Sequence, residues 1–343
     1  MRPLLRSLSV ACIVALAACG GSEPQQQPAL QQGWNDVAGM LCADGSPTGI
    51  GVQFGTRNSV IVVLSGGGAC WDATHCGATV PRSFGSADFA FYSLFTAGTI
   101  FDRSLPGNPF TDWTFVFVPY CTGDVHAGGD VTMTYGAAGT WRHHGRKNLE
   151  AAIATVAAAI PSPDKVVVSG SSAGGFGALL AFDIARAKWP AGATGPKAYL
   201  VDDSGQTFVG NDLPQSLRDT WWASWALDRT ITPLCAICNT DLSQLWTVLH
   251  TAHPSDRLAL LSSTQDSTMI GFFSPMTPTE FATGVTHLAQ KLQTIPNAAS
   301  FRVAGSGHAF LLAPGSYTAA GTPLLTWLGL EVSDSTSWTS VGP

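Results

Sequence analysis

The sequence predicts an α/β fold, a mostly parallel central sheet flanked by helices, with a tryptophan-rich helical insertion packed over the ends of its strands. Three observations carry this. Runs of β-branched and apolar residues alternate with longer segments of helical period along most of the chain. With 343 residues, 45% hydrophobic and 12% charged, the chain can fill one large core. One β-branched run, Lys165–Ser169, passes through Gly170-Ser171-Ser172-Ala173-Gly174 directly into an Ala/Leu-rich helical segment.

At the N-terminus, Arg2 and Arg6 precede an apolar stretch from Leu8 to Ala18 that is too short to span a bilayer. Residues 1–18 therefore read as a signal peptide. Leu16-Ala17-Ala18-Cys19 resembles the bacterial lipobox, so Cys19 is the expected lipidation site and anchor to the cell envelope, at the outer membrane or cell surface. A soluble secreted or periplasmic form is the alternative, since small residues also suit an ordinary signal peptidase. Residues 19–33 are rich in Gln, Gly and Pro and read as a flexible tether, leaving 34–343 as a single α/β domain. Loss of the leader removes two arginines and no carboxylate, taking the net charge from −6 to −8. No Lys/Arg run is present, which argues against a nucleic-acid partner.

Within the domain, Gly51–Phe54, Ser59–Leu64, Thr114–Val118, Lys165–Ser169, Ala198–Val201, Leu258–Ser262 and Phe301–Val303 read as strands. Arg146–Ile160, Gly174–Lys188 and Thr279–Leu292 read as helices. The segment Leu213–Leu249 breaks this alternation and carries Trp221, Trp222, Trp225 and Trp246. It reads as the insertion over the strand ends, where α/β sheets place their sites. Most of its tryptophans are expected to glue it to the core, with one or two left to line a pocket.

Six cysteines lie beyond the lipobox: Cys42, Cys70, Cys76, Cys121, Cys235 and Cys238. An even number in an exported chain favours disulfides, with 15 pairings open. Zinc is the competing reading of Cys235-x-x-Cys238, weakened by the lack of a second such pair or a matching histidine pair.

The chemistry centres on Ser172. In a strand–turn–helix context, Gly-x-Ser-x-Gly lifts the central hydroxyl above the sheet at the positive end of the following helix. Ser65-Gly66-Gly67-Gly68-Ala69 follows an early strand, and consecutive glycines let backbone N–H groups turn toward a ligand. The N–H groups of Gly68, Ala69 and Ala173 are the expected oxyanion hole. Of eight histidines, only His308 follows a C-terminal strand within a small-residue turn, and it is the expected base. Asp266, just beyond Leu258–Ser262, is the expected acid; Asp202 and Asp203, ending the preceding strand, are the alternatives. His143 and His144 with Asp124, His126 and Asp130 match no metal template, so no metal is expected there. Together these residues point to a serine carboxylic-ester hydrolase with the α/β-hydrolase fold, with a non-catalytic surface binding protein of the same fold as the contrasting reading.

Gly66–Trp71 (GGGACW), Tyr120–Gly129 (YCTGDVHAGG), Gly170–Gly175 (GSSAGG), Asp203–Gly205 (DSG) and Gln265–Ile270 (QDSTMI) together resemble the pectin acetylesterase and Notum family of carboxylesterases. The resemblance runs from about Cys42 onward. It implies a Ser–His–Asp esterase that needs no cofactor and removes acyl groups from polysaccharide or protein. It also implies the pairings Cys70–Cys76, Cys42–Cys121 and Cys235–Cys238. Ala69 stands where the family usually has tryptophan, and the insertion matches no family motif. An acylated polysaccharide losing a small acyl group such as acetate is the substrate expected first. A polyester or lipid ester comes second, because the extra tryptophans offer an apolar platform.

Overall fold

Eight strands form the central sheet of the computed structural model, which describes residues 29–343 other than 78, 79 and 194. The signal peptide and Cys19 lie outside the described residues. The strands are β1 (Gly33–Leu41), β2 (Pro47–Gln53), β3 (Ser59–Leu64), β4 (Thr114–Val118), β7 (Lys165–Ser171), β8 (Lys197–Asp203), β9 (Arg257–Ser263) and β10 (Ala298–Val303). They lie in the order β1-β2-β4-β3-β7-β8-β9-β10, and a separate hairpin comprises β5 (Val131–Thr134) and β6 (Thr140–His143). From β4 to β10 every pairing is parallel, while β1–β2 and β2–β4 are antiparallel. This is the α/β-hydrolase arrangement that the alternating pattern predicts.

The parallel strands read as unbroken apolar runs because both of their faces are covered. Val60, Val62 and Leu64 of β3 face one core, with Leu149 and Ile153 of helix α2 (Gly145–Ala159) and Leu179 of α3 (Ala173–Lys188). The same core takes in Leu245 of α5 (Gln244–Ala252) and Leu288 of α7 (Pro278–Gln293). Ile61 and Val63 face the second core, closed by Leu324, Trp327 and Leu328 of α8 (Leu324–Val332). Successive residues from Val60 to Leu64 therefore alternate between the two cores, as a period of two requires.

Several elements escaped the sequence pattern, α8 among them. Strand β1 buries only Val37 and Met40, and its pairing with β2 shifts between Asp36 and Leu41, so it carries no clean alternation. Helix α1 (Ser86–Ser93) buries none of its residues, and the hairpin β5–β6 is too short to register. Gln31 N–H and the Gln32 side chain already hydrogen-bond Asn35 and the Phe54 N–H, so the last residues of the expected tether lie against the domain.

The insertion holds α4 (Gln215–Trp225) and α5, joined through Cys235 and Cys238. Disulfides join Cys42 to Cys121, Cys70 to Cys76 and Cys235 to Cys238. With Cys235 and Cys238 bonded to each other, the zinc alternative has no thiolates to use.

Candidate active site

The turn at Ser172 is dictated by what surrounds it. Ser172 precedes α3 with φ 60° and ψ −121°, a strained conformation for a residue with a side chain. A Cβ on Gly170 would sit 2.3 Å from the Gly174 carbonyl oxygen, and one on Gly174 would sit 2.1 Å from that of Leu64. Only glycine fits at either position, which is the local reason for the motif. The Ser172 N–H donates to the Asp203 carbonyl at 2.7 Å, fixing the turn to the end of β8.

Beside it, Gly68 adopts φ +78° and carries the chain past Ser172. Among the described residues, the N–H groups of Gly67, Gly68, Ala69 and Ala173 donate to no protein acceptor. Three of these are the donors named from the sequence, and Gly67 is an addition to them. The loop is braced from below: the Cys70 N–H donates to Gly123 O at 2.7 Å, and His126 Nε2–H donates to Ser65 O at 3.0 Å. Burial holds the His126 pKa below its ordinary value. The insertion adds a second brace, with Trp225 Nε1–H donating to Cys70 O at 2.7 Å and Ser224 Oγ to Trp71 O at 3.2 Å. Cys70 is further bonded to Cys76, six residues on, which shortens the free path of the loop's exit.

Asp266 and His308 meet across two neighbouring loops. Asp266 Oδ2 accepts from His308 Nδ1–H at 2.7 Å, while its Oδ1 accepts the N–H groups of Thr268 and Met269, both at 3.0 Å. Asp266 thereby caps the short helix α6 (Ser267–Phe272) and is completely buried. The arrangement fixes the imidazole tautomer with Nε2 unprotonated and free of protein partners among the described residues. His308 and Ser172 line one cavity of about 320 Å³, whose walls include Gly68, Tyr92, Phe101, Phe272 and Leu312. No hydrogen bond joins Ser172 Oγ to the imidazole.

The alternative acids do something else. Asp203 Oδ1 accepts from Ser204 Oγ and the Phe310 N–H, both at 2.9 Å. Its Oδ2 accepts from Ser171 Oγ at 2.6 Å and the Leu311 N–H at 2.9 Å. Ser204 Oγ also takes the Ala309 N–H at 3.1 Å. The end of β8 thus clamps the turn at Ser172 to the loop that carries His308, a role the sequence reading missed. Burial raises the Asp203 pKa against the pull of these donors. Asp202 Oδ1 accepts only the Gly205 N–H, its Oδ2 has no partner, and burial pushes its pKa well above the carboxylate range.

On the other side of Ser172, a small recess of about 20 Å³ lies among Ala69, Trp71, Phe176, Trp221 and Phe272. Trp221 is the one tryptophan of the insertion at this recess. Trp246 Nε1–H bonds Thr207 Oγ1 and Trp222 Nε1–H bonds Thr232 Oγ1, ties that hold the insertion to itself and the core. The larger groove of about 560 Å³ between Arg146, Asp183 and Arg229 contains none of these groups. His143 bonds Thr122 O and the Tyr135 hydroxyl, and His144 bonds Asp130. Among the described residues, no three His, Cys, Asp or Glu side chains converge as ligands.

Known proteins share this architecture. The chain superimposes on the Wnt deacylase Notum from Drosophila in two crystal forms, with TM-scores of 0.62 and 0.61 and 18% identity in each. The first match covers 90% of this chain and 97% of that one, the second 91% and 98%. No curated protein matches by sequence. The sequence pattern of the pectinacetylesterase family matches residues 30–227, more than half of the chain and including the glycine-rich loop and Ser172. The chain therefore belongs to the pectinacetylesterase family of ester hydrolases, built on the α/β-hydrolase fold.

Proposed function

We propose that the protein is a serine carboxylesterase working through an acyl-enzyme, with Ser172 as nucleophile, His308 as base and Asp266 as the group that orients it. Ser172 Oγ attacks the ester carbonyl as its proton passes to His308 Nε2, and the carbonyl oxygen becomes an anion facing the N–H groups of Gly68, Ala69 and Ala173. The imidazolium then gives its proton to the leaving alkoxide, releasing the alcohol. Water enters, loses a proton to Nε2 and attacks the acyl carbon, which frees the acid and returns the proton to Ser172. Each oxyanion donor is worth about 3 kcal/mol in such sites.

The observation that carries this reading is the Asp266–His308 hydrogen bond at 2.7 Å beside a strained Ser172 and unoccupied N–H donors. Labelling with a fluorophosphonate tests it: Ser172 is expected to react in the oxidised protein and not in Ser172→Ala. Failure of Ser172 to react would favour the non-catalytic binding protein.

The cavity favours an ester whose acyl part is larger and more apolar than acetate. Ile100, Phe101, Phe117, Leu311 and Leu312 wall it, and a small acetyl group would leave most of that wall uncovered. A lipid ester or polyester fits this better than the acetylated polysaccharide that the sequence suggests first. Polysaccharide deacetylation is the second reading, supported by family membership. A p-nitrophenyl ester series separates them: kcat/KM rising beyond about four carbons supports the apolar substrate, and a fall supports deacetylation. Three disulfides suit an exported protein, and lipidation at Cys19 is proposed for its anchoring. Labelling with a palmitate analogue, lost in Cys19→Ser, tests the anchor.

A further inference from the structure

Helix α1 is apolar on both sides and has a cover on only one. Phe89 and Tyr92 point into the domain, with ring centroids 5.9 and 4.7 Å from Phe117. Phe91, in the last turn of the helix, and Leu94 and Phe95, in the turn that follows its end, are 66, 73 and 63% exposed. The rings of Phe91 and Phe95 pack on each other at 5.0 Å, so the patch is preformed. Of the six large apolar side chains exposed among the described residues, these are three and Leu312 is a fourth. From Ser83 to Phe101 the only charged residue is Asp88, whose carboxylate accepts the Gly85 N–H in the first turn. A clustered apolar surface of this kind marks a binding face.

The helix that leads into the patch also reaches the catalytic cavity. Tyr92, from the same helix, walls the cavity, and so does Leu312. The Ile100 N–H donates to Leu311 O at 2.9 Å, tying the chain that follows α1 to the segment bearing Leu312. Resting on the esterase reading above, we infer that this face docks the surface of a water-insoluble ester, so that an acyl chain leaving the aggregate enters the cavity past Tyr92 and Leu312. Water-covered aromatic area at the mouth is then the area that the substrate phase removes from water. The absence of charge across the face suits a neutral apolar phase better than an anionic bilayer.

The test separates docking from chemistry. In a Ser172→Ala background, the protein is mixed with a trioctanoylglycerol emulsion and its co-flotation measured. The inactive parent is expected to adsorb, and adding Phe91→Ser, Leu94→Ser and Phe95→Ser is expected to weaken adsorption by about tenfold or more. With Ser172 present, the triple variant is expected to keep kcat/KM on soluble p-nitrophenyl butyrate within about twofold while losing most of its rate on the emulsion, because none of the three residues lines the cavity. Leu94→Lys alone, at the most exposed position, guards against misfolding of the triple variant and is expected to give a smaller loss of the same kind. Equal adsorption of parent and variants overturns the inference. So does binding to neutral phosphatidylcholine vesicles without binding to the emulsion, or a dimer in sedimentation that the triple variant dissociates. Absence of esterase activity in every form with Ser172 would sink the esterase reading instead, and the co-flotation result would still stand or fall by itself.

Discussion

Asp203 and Asp266 are both completely buried, both lie at the C-terminal ends of neighbouring parallel strands, and both reach the segment from His308 to Leu311. They hold different parts of it. Asp266 takes the imidazole itself and spends its other oxygen on the N-terminus of α6. Asp203 takes two backbone N–H groups of that segment and the hydroxyls of Ser171, next to Ser172, and of its own neighbour Ser204. A carboxylate one bond from the imidazole sets its tautomer and charge, whereas one bonded to the backbone sets only where the loop sits. Position at a strand end therefore marks a carboxylate as a candidate, and its partner decides the role.

The largest expected effect follows from that difference. Asp266→Asn should lower kcat by about 10⁴, because the amide leaves His308 in the wrong tautomer. It should leave thermal stability nearly unchanged, since Asn caps a helix about as well as Asp. A kcat within about tenfold of wild type on p-nitrophenyl butyrate would break the comparison.

Asp203→Asn should reverse the balance between stability and rate. The new NH₂ faces donors, and while a serine hydroxyl can turn to accept, the N–H of Phe310 or Leu311 cannot. Stability should fall by about 1–3 kcal/mol in urea titration. Well below the melting midpoint kcat should drop less than in Asp266→Asn, with the pH profile of kcat/KM unmoved because Asp203 does not touch the imidazole. If Asp203→Asn alone abolishes turnover, the two roles are exchanged.

How much of this was legible in the sequence follows the same line. The parallel strands and the helices on them were readable because burial on both faces leaves unbroken apolar runs and clear helical periods. Strand β1 and α1 were not, because one is a bulged edge strand and the other buries no residue. That Asp266 meets His308, and that His308 and Ser172 share a cavity, could be expected because side-chain chemistry and loop position suffice to nominate them. The Asp203 clamp could not, since it depends on backbone N–H groups 107 and 108 residues further along. The same holds for Trp225, whose value to the glycine-rich loop is one hydrogen bond across 155 residues.

A smaller effect is expected where the loop is braced by covalent bond rather than by hydrogen bonds. Cys70→Ser with Cys76→Ser should lower kcat by about tenfold with KM little changed, because the N–H donors of Gly68 and Ala69 act mainly on the transition state. Trp225, the Cys70 N–H and His126 still hold the segment, so the loss should stay well short of that in Asp266→Asn. Unchanged kcat in the double variant would show that the hydrogen bonds alone position the donors.

The smallest effect concerns Asp202, the neighbour whose carboxyl has one partner and one orphaned oxygen. Burial raises its folded-state pKa well above the unfolded value, so the folded protein holds this proton more tightly than the unfolded chain. Its contribution to stability is then fully present below the unfolded value of about 3.9 and is lost as the pH rises from there toward the folded pKa. Asp202→Asn keeps an oxygen for the Gly205 N–H and carries no proton to lose. The variant should therefore match wild type near pH 4 and melt higher at pH 7 to 8, with kcat unaltered because Asp202 contacts neither His308 nor the Ser172 side chain. Melting curves across that range decide the point: a difference that is the same at every pH would mean that Asp202 titrates alike in both states, and its burial would then need a hydrogen-bond donor at Oδ2.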